Sequence, residues 1–258
     1  MISRIVEIYQ YRTMFWGLIT SDLRTRYKGS ILGFLWTFLN PLLMLIVYSL
    51  VFSTIMRVNI PHYSAFLFIG LLAWNLFSSS IQTGVGVINR QASLVKKIYF
   101  PREILPFAIV ISGAINYLFS LLILLPYLII SGIQPSLNWL YIPLILALEC
   151  ITAAGFSLLF SSINVYLRDV EHVMGIFLMA WFYVTPVVYS LKMIPHKFTQ
   201  IFKLNPMTDF VVSFQGVLYY NQPLRWKMFL YSIVLSFVLL GLGWAIFNHL
   251  SKRFAEEV

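Results

Sequence analysis

The chain has 258 residues, 60% of them hydrophobic and only 10% charged, and its formal net charge is +9. Such a composition is atypical of soluble domains and indicates an integral membrane protein. Most of the basic residues lie between apolar runs, where they set membrane orientation, so we expect membrane lipid and not nucleic acid as a partner. The single cysteine, Cys150, lies inside an apolar run, which excludes an intrachain disulfide and a metal site built from thiols.

Residues 1–30 are predicted to form a cytoplasmic amphipathic helix at the membrane interface. Apolar side chains recur there at roughly helical spacing, at Ile8, Tyr11, Phe15, Leu18 and Leu23. Charged residues interrupt every candidate apolar core in this segment, so no signal peptide is expected. A poorly ordered basic tail is the alternative, against which the aromatic content of the segment argues.

Six apolar stretches are long enough to cross the hydrocarbon layer, which needs about 20 residues of helix. They are residues 31–56, 66–88, 104–130, 140–161, 170–189 and 228–250. We therefore predict an all-α polytopic membrane protein, with one transmembrane domain at 31–251 and a cytoplasmic tail at 252–258. Because no internal repeat is found, and a six-helix unit without a repeat often obtains its second half by dimerising, we expect a homodimer.

The distribution of basic residues predicts that both termini are cytoplasmic. Twelve Lys or Arg residues occur in the N-terminal segment, in 89–103, in 162–169 and in the tail, whereas 57–65 and 131–139 contain only Arg57. Under the positive-inside rule the basic side faces the cytoplasm.

The connection 190–227 does not fit this rule, since it is nominally external and contains five Lys or Arg residues. Its two apolar pieces, 198–204 and 210–220, are separated by Asn205 and Pro206. This pattern predicts either two short re-entrant helices at the outer membrane face or an ordinary surface helical hairpin.

A short charged loop, residues 93–103, lies between the second and third predicted spans. Its apolar residues fall at helical spacing and its lysines face elsewhere, whereas Pro101 ends the turn. The apolar positions are Leu94, Val95 and Ile98. The loop is therefore predicted to be a cytoplasmic mini-helix that can dock into a groove of another protein.

The second predicted span carries a polar stripe along one helix face, at Asn75, Ser78, Ser79, Gln82, Gly86 and Asn89. Lipid does not tolerate such a stripe, which predicts either a conduit lining or a helix–helix contact. Aromatic stripes occur in the first and fifth spans, at Phe34, Phe38, Tyr48, Phe52, Phe177 and Trp181. Aromatic faces suit the apolar faces of sugar rings, and ordinary packing is the alternative explanation.

Two acidic residues lie at positions where a negative charge needs an explanation, one functional and one structural. Glu149 lies deep in an apolar run, where an ionised group costs roughly 2.5–3.5 kcal/mol. It is a candidate for proton coupling, and the alternatives are a protonated carboxyl or a pair with Asn116 or another polar neighbour. Asp169 lies where the fifth span begins and is expected to cap that helix. Arg168, beside it, is expected to contact a cytoplasmic partner or a lipid phosphate.

No catalytic constellation is found, and the chain is not expected to be an enzyme. The histidines are scattered at positions 62, 172, 196 and 249, and there is no zinc-protease motif or nucleophile elbow. A phosphate-binding loop is also missing, so we expect no metal and no nucleotide in this chain. If transport is driven, the motor belongs to a separate protein.

Three stretches in combination resemble the membrane subunits of type-2 ABC exporters of cell-surface polysaccharides. They are RYKGSILGFLW at 26–36 leading into Asn40 and Pro41, KKIYFPREILP at 96–106, and NVYLRD at 164–169. The short motifs TPVVY at 185–189 and LNPM at 204–207 also match that family. The resemblance covers nearly the whole chain in order.

This resemblance implies a homodimeric channel of the bacterial cytoplasmic (inner) membrane that works with two copies of a separate ATPase, which holds the ATP and Mg²⁺. Its cargo would be lipid-linked O-antigen, capsule or teichoic-acid chains. In that family the N-terminal helix, here 4–28, and the 93–103 loop meet the ATPase, and re-entrant helices fall at 195–220. The implied ATPase-coupling residues are Leu94, Val95, Lys96, Lys97, Ile98, Tyr99, Phe100, Pro101, Arg102, Glu103, Arg168 and Asp169. The alternatives are a related exporter of drugs or lipids and a proton-coupled flippase that would need Glu149.

Overall fold

The computed structural model describes residues 7, 9–26, 28–51, 61–195, 197, 202 and 204–258, without the side chains of residues 34, 49, 192 and 255. Within these residues all regular secondary structure is helical. The helices are α1 (Arg12–Thr25), α2 (Trp36–Leu50), α3 (Tyr63–Val85), α4 (Val87–Arg90), α5 (Ala92–Lys97), α6 (Ile104–Ile130), α7 (Ile142–Tyr166), α8 (Val170–Tyr183), α9 (Pro206–Leu218), α10 (Trp226–Leu250) and α11 (Phe254–Glu257). Short 3₁₀ turns at Gly33–Leu35, Leu137–Tyr141, Leu191–Met193 and Ser251–Arg253 connect them.

Four helices are long and apolar enough to cross a membrane, namely α3, α6, α7 and α10. They coincide with the second, third, fourth and sixth predicted spans. Helix α6 begins and ends at the predicted residues, and the other three differ from the predicted boundaries by a few residues.

Helices α2 and α8 are shorter, with 15 and 14 residues. At 1.5 Å per residue each extends about 22 Å, less than the ~30 Å of hydrocarbon, so six spans remain a prediction. Helix α8 ends at Tyr183 and not at 189 as predicted, because Pro186 disfavours helical backbone in the residue before it. The predicted first span extends into residues 52–60, which lie outside the described residues.

Helix α3 is at the centre of the fold. In its apolar window 78% of the residues are buried, against 22% for α10, which therefore lies at the edge. Helix α3 packs against α6, α7 and α9, and its fully buried side chains include Phe66, Phe68 and Phe77. Burying a phenylalanine side chain contributes about 1.5–3 kcal/mol in water, and in lipid the same residues contribute through close packing.

Helices α7 and α10 pack with their backbones in close contact, because Gly155 faces Gly243 at their crossing. A β-carbon at Gly155 would lie 2.7 Å from the carbonyl carbon of Leu239, and one at Gly243 would collide with the carbonyl oxygen of Gly155. Beside the crossing, the hydroxyls of Thr152 and Ser236 lie 2.7 Å apart. Small residues that allow two backbones to touch are a common basis of helix association in membranes.

A helix is present where the N-terminal interfacial helix was expected. Helix α1 packs against α6 through Ile19, which is fully buried and whose carbonyl accepts a hydrogen bond from Ser112 Oγ at 3.3 Å. Ile19 is not among the predicted apolar positions, of which Leu18 is only partly buried. Ile8 lies outside the described residues.

Candidate functional site

The 93–103 loop contains the predicted mini-helix, α5, and presents two different edges. The outer edge consists of Lys96, Lys97, Ile98 and Tyr99, which are all exposed. Ile98 and Tyr99 expose 53% and 77% of their surface, and Tyr99 also accepts a hydrogen bond from the Tyr11 hydroxyl at its carbonyl, at 3.0 Å. This edge is open to another protein.

The inner edge of the loop is packed against the rest of the chain. Val95 and Phe100 are buried in an apolar cluster with Phe247 and Phe254. The predicted apolar face is therefore divided, since Val95 turns inward and Ile98 outward.

Arg102 and Glu103 connect this inner edge to the end of α10. The guanidinium carbon of Arg102 lies 5.7 Å from the centre of the Phe254 ring, a cation–π contact, and its Nη1 donates to the carbonyl oxygen of Ser251. Burial lowers the pKa of the Arg102 guanidinium, while the charge of Glu103 raises it. Glu103 is 2% exposed, and Asn248, with its amide nitrogen turned toward the carboxylate, donates to Glu103 Oε1 at 2.9 Å.

Phe254 brings three parts of the chain together in what we call the Phe254 cluster. Its ring is fully buried and lies 5.4 Å from the ring of Phe247 and 6.4 Å from that of Tyr166 at the end of α7. The Tyr166 hydroxyl donates to the carbonyl of Leu250 at 2.9 Å. The cluster consists of Arg102, Glu103, Tyr166, Phe247, Asn248 and Phe254. Sequence reasoning missed it, because residues 252–258 carry no periodic pattern and were expected only to be a tail.

Arg168 and Asp169 are exposed at the same end of the molecule. The prediction that Asp169 caps α8 was wrong, since its side chain makes no capping hydrogen bond. Its backbone, at φ −64° and ψ −20°, is helical, whereas a capping residue is usually extended. Asn164 takes the role instead, with its Oδ1 accepting from the Glu171 N–H at 3.2 Å. Arg168 borders a cavity of about 280 Å³ together with Ala92 at the start of α5.

A polar cavity of about 550 Å³ opens between α1, α2, α3, α6 and α8. Three predicted conduit residues, Asn75, Ser79 and Gln82, line it. Arg26, Asn40 and Asn116 also line it, and their contribution was not predicted. Only the folded chain shows that these separate positions converge.

The polar stripe has different surroundings along its length, and whether it lines a conduit stays a prediction. Its upper part, with Asn75 and Ser79, faces the cavity. Gln82, further along α3, also lines the cavity, and its Nε2 donates to the Glu171 carbonyl at 3.2 Å. In the lower part, Asn89 Nδ2 donates to the Asn164 carbonyl at 3.1 Å. The lower part of the stripe therefore fixes α3 and α4 to the neighbouring connection.

The described members of the aromatic stripes, Phe38, Tyr48, Phe177 and Trp181, are not part of the lining of this cavity. Phe38 makes an edge contact with Phe119 at 5.6 Å, and Phe177 is 48% exposed. Trp181 packs against Phe77 at 5.2 Å, and its Nε1 donates to Asn205 Oδ1 at 2.8 Å. Tyr48 is partly buried against the core, while the Phe34 side chain and all of Phe52 lie outside the described residues. Trp181 thus has a packing role, and a sugar-path role of these aromatics stays a prediction.

Glu149 is fully buried within α7. Within the described part of the chain neither of its carboxylate oxygens has a hydrogen-bond partner, and the Asn116 Oδ1 atom also has none. A pair between these two residues, one of the alternatives considered for Glu149, is therefore not formed.

Asn205 fixes the C-terminal end of α8 to α9. Its Oδ1 accepts from the Met207 N–H at 3.0 Å and so caps α9, and its Nδ2 donates to Thr185 Oγ1 at 3.0 Å. Helix α9 covers most of the predicted apolar piece 210–220. Much of the other piece, 198–204, lies outside the described residues.

Comparison with known proteins gives consistent results along the chain. Residues 13–219, which include the 93–103 loop and the whole lining of the polar cavity, match the family described as ABC-2 type transporter. The O-antigen export system permease protein RfbA of Klebsiella pneumoniae is 36% identical over 240 residues, covering 93% of this chain and 92% of that protein. The protein of the same name from Myxococcus xanthus is 34% identical over 260 residues and covers 100% of both chains. The polysialic acid transport protein KpsM of Escherichia coli is 25% identical over 202 residues, covering 76% of this chain and 77% of that protein.

Proposed function

Because the chain belongs to the ABC-2 type transporter family, we propose that it is the membrane-spanning subunit of an exporter that moves a lipid-linked, O-antigen-like polysaccharide across the cytoplasmic membrane. The observation that carries the proposal is the similarity to O-antigen export permeases, at 34% and 36% identity over nearly the full length of each chain. A polysaccharide is hydrophilic, and the polar cavity gives it a route past lipid.

In this proposal two copies of the chain form the channel and two copies of a separate ATPase hold ATP and Mg²⁺. Both termini face the cytoplasm, with residues 1–30 at the membrane interface and 31–251 as the transmembrane domain. Helices α2 and α8 belong to the first and fifth of the six spans, and α9 is a re-entrant helix at the outer face. The basic loops support this orientation, since Arg102 contacts Phe254 next to the basic residues 252 and 253, and Arg168 borders a cavity with Ala92 at the start of α5.

The exposed edge of the 93–103 loop is the docking surface for the ATPase in this arrangement. Lysines and large apolar side chains occur together there, a combination that suits a groove with acidic borders. The inner edge of the loop then passes the movement of the ATPase to α7 and α10 through the Phe254 cluster.

The proposal is tested by reconstituting the permease and its co-expressed ATPase in proteoliposomes loaded with lipid-linked O-antigen. We expect polymer transport and polymer-stimulated ATP hydrolysis. Stimulation by small hydrophobic compounds alone would indicate a drug or lipid exporter. Transport that continues without ATP and stops in Glu149→Gln would indicate a proton-coupled flippase. Either result would contradict the proposal.

Charge reversal at Lys97 is expected to weaken ATPase binding. Lys97 is exposed on α5, and Lys97→Glu would repel an acidic partner surface. Co-purification of the ATPase should fall at least about tenfold, corresponding to ~1.4 kcal/mol. Lys252→Glu is the matched control, because Lys252 is exposed at the same end but lies outside the loop. Equal effects of the two changes would contradict a specific docking role for the loop.

Asn75→Leu is expected to reduce polymer export several-fold while the protein still assembles with its ATPase. The change replaces an exposed polar side chain of the polar cavity with an apolar one, which cannot pair with sugar hydroxyls. Thr83→Val, on the same helix but outside the cavity lining, serves as the control. Export rates in proteoliposomes, normalised to the amount of complex, provide the measurement, and unchanged export in Asn75→Leu would remove the cavity from the route.

A further inference from the structure

A second large cavity, which we call the apolar groove, lies between α6, α7 and Leu240 of α10. Its volume is about 530 Å³. Every lining residue that the structure describes is apolar, and Cys150, whose thiol is the only weak polar group among them, behaves as a small hydrophobic residue. The lining includes Phe107, Leu118, Ile142, Ala147, Ala154 and Leu240.

The apolar groove can be reached from outside the protein. Ala147 is exposed and Leu118 exposes 48% of its surface, while Phe107 and Leu240 are half-buried. Ala147 and Ala154 contribute only methyl groups to the lining, which leaves open a space that larger side chains would fill. A molecule in the groove would therefore contact accessible side chains.

Helix α6 separates the apolar groove from the polar cavity. Its residues Asn116 and Ser120 line the polar cavity, whereas Ala114 and Leu118 line the groove. These two sets of positions lie on different faces of the helix. One helix thus has a polar cavity on one face and a wholly apolar groove on another.

The surroundings of the groove determine which molecules suit it. Helices α6 and α7 are both long and apolar enough to cross a membrane, so the groove between them lies in the hydrocarbon layer. A buried water needs several polar partners and a sugar needs partners for its hydroxyls, and the described lining supplies neither. Because an empty groove would lose close contacts with its lining, hydrocarbon is the chemistry that fits.

The length and volume of the groove fit one long hydrocarbon chain. The lining extends from Phe107 to Leu118 along α6 and from Ile142 to Ala154 along α7, about 17–18 Å in each helix. The volume equals that of about 18 water molecules at ~30 Å³ each. Since a methylene group takes about as much space as a water molecule, the groove holds roughly 18 carbons, the size of one acyl chain.

A bilayer phospholipid is a better source of this chain than the lipid of the exported glycan. A glycan in the polar cavity stays attached to its own lipid, and α6 lies between that cavity and the groove. Only this choice of source rests on the proposed function. The fit of an acyl chain depends on the groove itself.

We propose that the apolar groove binds one acyl chain of a bilayer phospholipid as a resident part of the folded permease. The chain packs against α6 on the face next to the one that lines the polar cavity. It supplies close contacts to the lining alanines, whose methyl groups leave the groove unfilled.

The test is photolabelling of the full chain in nanodiscs whose phosphatidylethanolamine carries a diazirine near the middle of one acyl chain. Peptide mass spectrometry locates the label and needs neither ATP nor the ATPase. We expect the label to concentrate on residues 107–118 and 142–154, relative to the exposed residues of α10. Ala147→Phe fills the groove from an exposed position and should lower this labelling about tenfold.

Two further variants keep the test independent of one substitution. Ala147→Leu is a smaller change at the same position and should lower the labelling in the same direction. Ala245→Phe is the matched control, because Ala245 is exposed on α10 and outside the groove lining, and it should leave the labelling unchanged. Thermal unfolding of each variant verifies that it is folded.

Three outcomes would overturn the proposal and leave the export function intact. The first is equal labelling of all exposed membrane-facing residues that neither change at Ala147 alters. The second is no label in the groove while the rest of the membrane-facing surface is labelled, which would show that a protein surface covers it. The third is loss of the phospholipid label when lipid-linked O-antigen is added, which would assign the groove to the lipid of the cargo.

Discussion

Gly243→Ala is expected to destabilise the folded permease more than any other single methyl addition in the α7–α10 pair. A β-carbon at this position would collide with the carbonyl oxygen of Gly155 and lie 3.0 Å from its carbonyl carbon, and a backbone cannot move aside as a flexible side chain can. Overpacking of this kind costs about 1–3 kcal/mol and occasionally more, which at about 2–4 °C per kcal/mol would lower the Tm by roughly 2–12 °C. The measurement is thermal unfolding in detergent and in nanodiscs, together with the yield of folded protein.

Gly241→Ala is the matched control for this experiment. Gly241 lies two residues away on the same helix, is exposed, and has no atom within 4 Å of where its β-carbon would be. Since alanine is the better helix former by about 1 kcal/mol, this variant should be as stable as the wild type or slightly more stable. If Gly243→Ala and Gly241→Ala unfold at the same temperature, the two helices are not held by the close contact described here.

The sequence predicts well those features that depend on a single segment. Four of the predicted spans coincide with membrane-length helices, because a run of about 20 apolar residues is itself the physical requirement for crossing. The short helix α5 was predicted from local spacing, which also acts within one segment, but it ends at Lys97 with Ile98 extended and not at Pro101 as predicted.

Features that depend on two distant segments were not predictable in this way. Gly155 and Gly243 look like ordinary glycines in apolar runs until the helices are placed together. Phe254 is likewise one aromatic residue in a short polar tail, and its burial depends on Arg102 and Tyr166, far away along the chain. Periodicity shows which face of a helix is apolar but not which element covers it.

The wrong prediction at Asp169 has a similar cause. An aspartate just before a helix often caps it, but a capping residue usually has an extended backbone, and the backbone of Asp169 is helical. Asn164, seven residues before Glu171, reaches the open N–H instead because the connection folds back on itself. The polar stripe on α3 is an intermediate case. The sequence predicted that its residues share one face of the helix, but not that Arg26 and Asn116 line the same cavity.

Phe254→Ala is expected to uncouple ATP hydrolysis from export. The change removes the ring that contacts Arg102, Phe247 and Tyr166, while Lys96 and Lys97 on the outer edge of the 93–103 loop stay in place. The ATPase should therefore still bind, but its movement should no longer reach α7 and α10. We expect export to fall at least tenfold, with co-purification of the ATPase retained and more ATP hydrolysed per polymer exported. Glu256→Ala, an exposed position in the same segment, is the control.

A double-mutant cycle with Arg102→Gln distinguishes transmission from simple loss of stability. Arg102→Gln removes the cation–π contact with Phe254 and the charge, so each single variant breaks the same link between the loop and α10. Changes at residues that act as one unit have non-additive effects. The export rate of the double variant should therefore be no lower than that of the single variant with the lower export rate. Additive losses of export, or a loss of ATPase binding that parallels the loss of export, would show that Phe254 supports only local folding. In that case the loop would transmit movement through Val95 and Phe100 alone, which are buried in the apolar cluster that also contains Phe247.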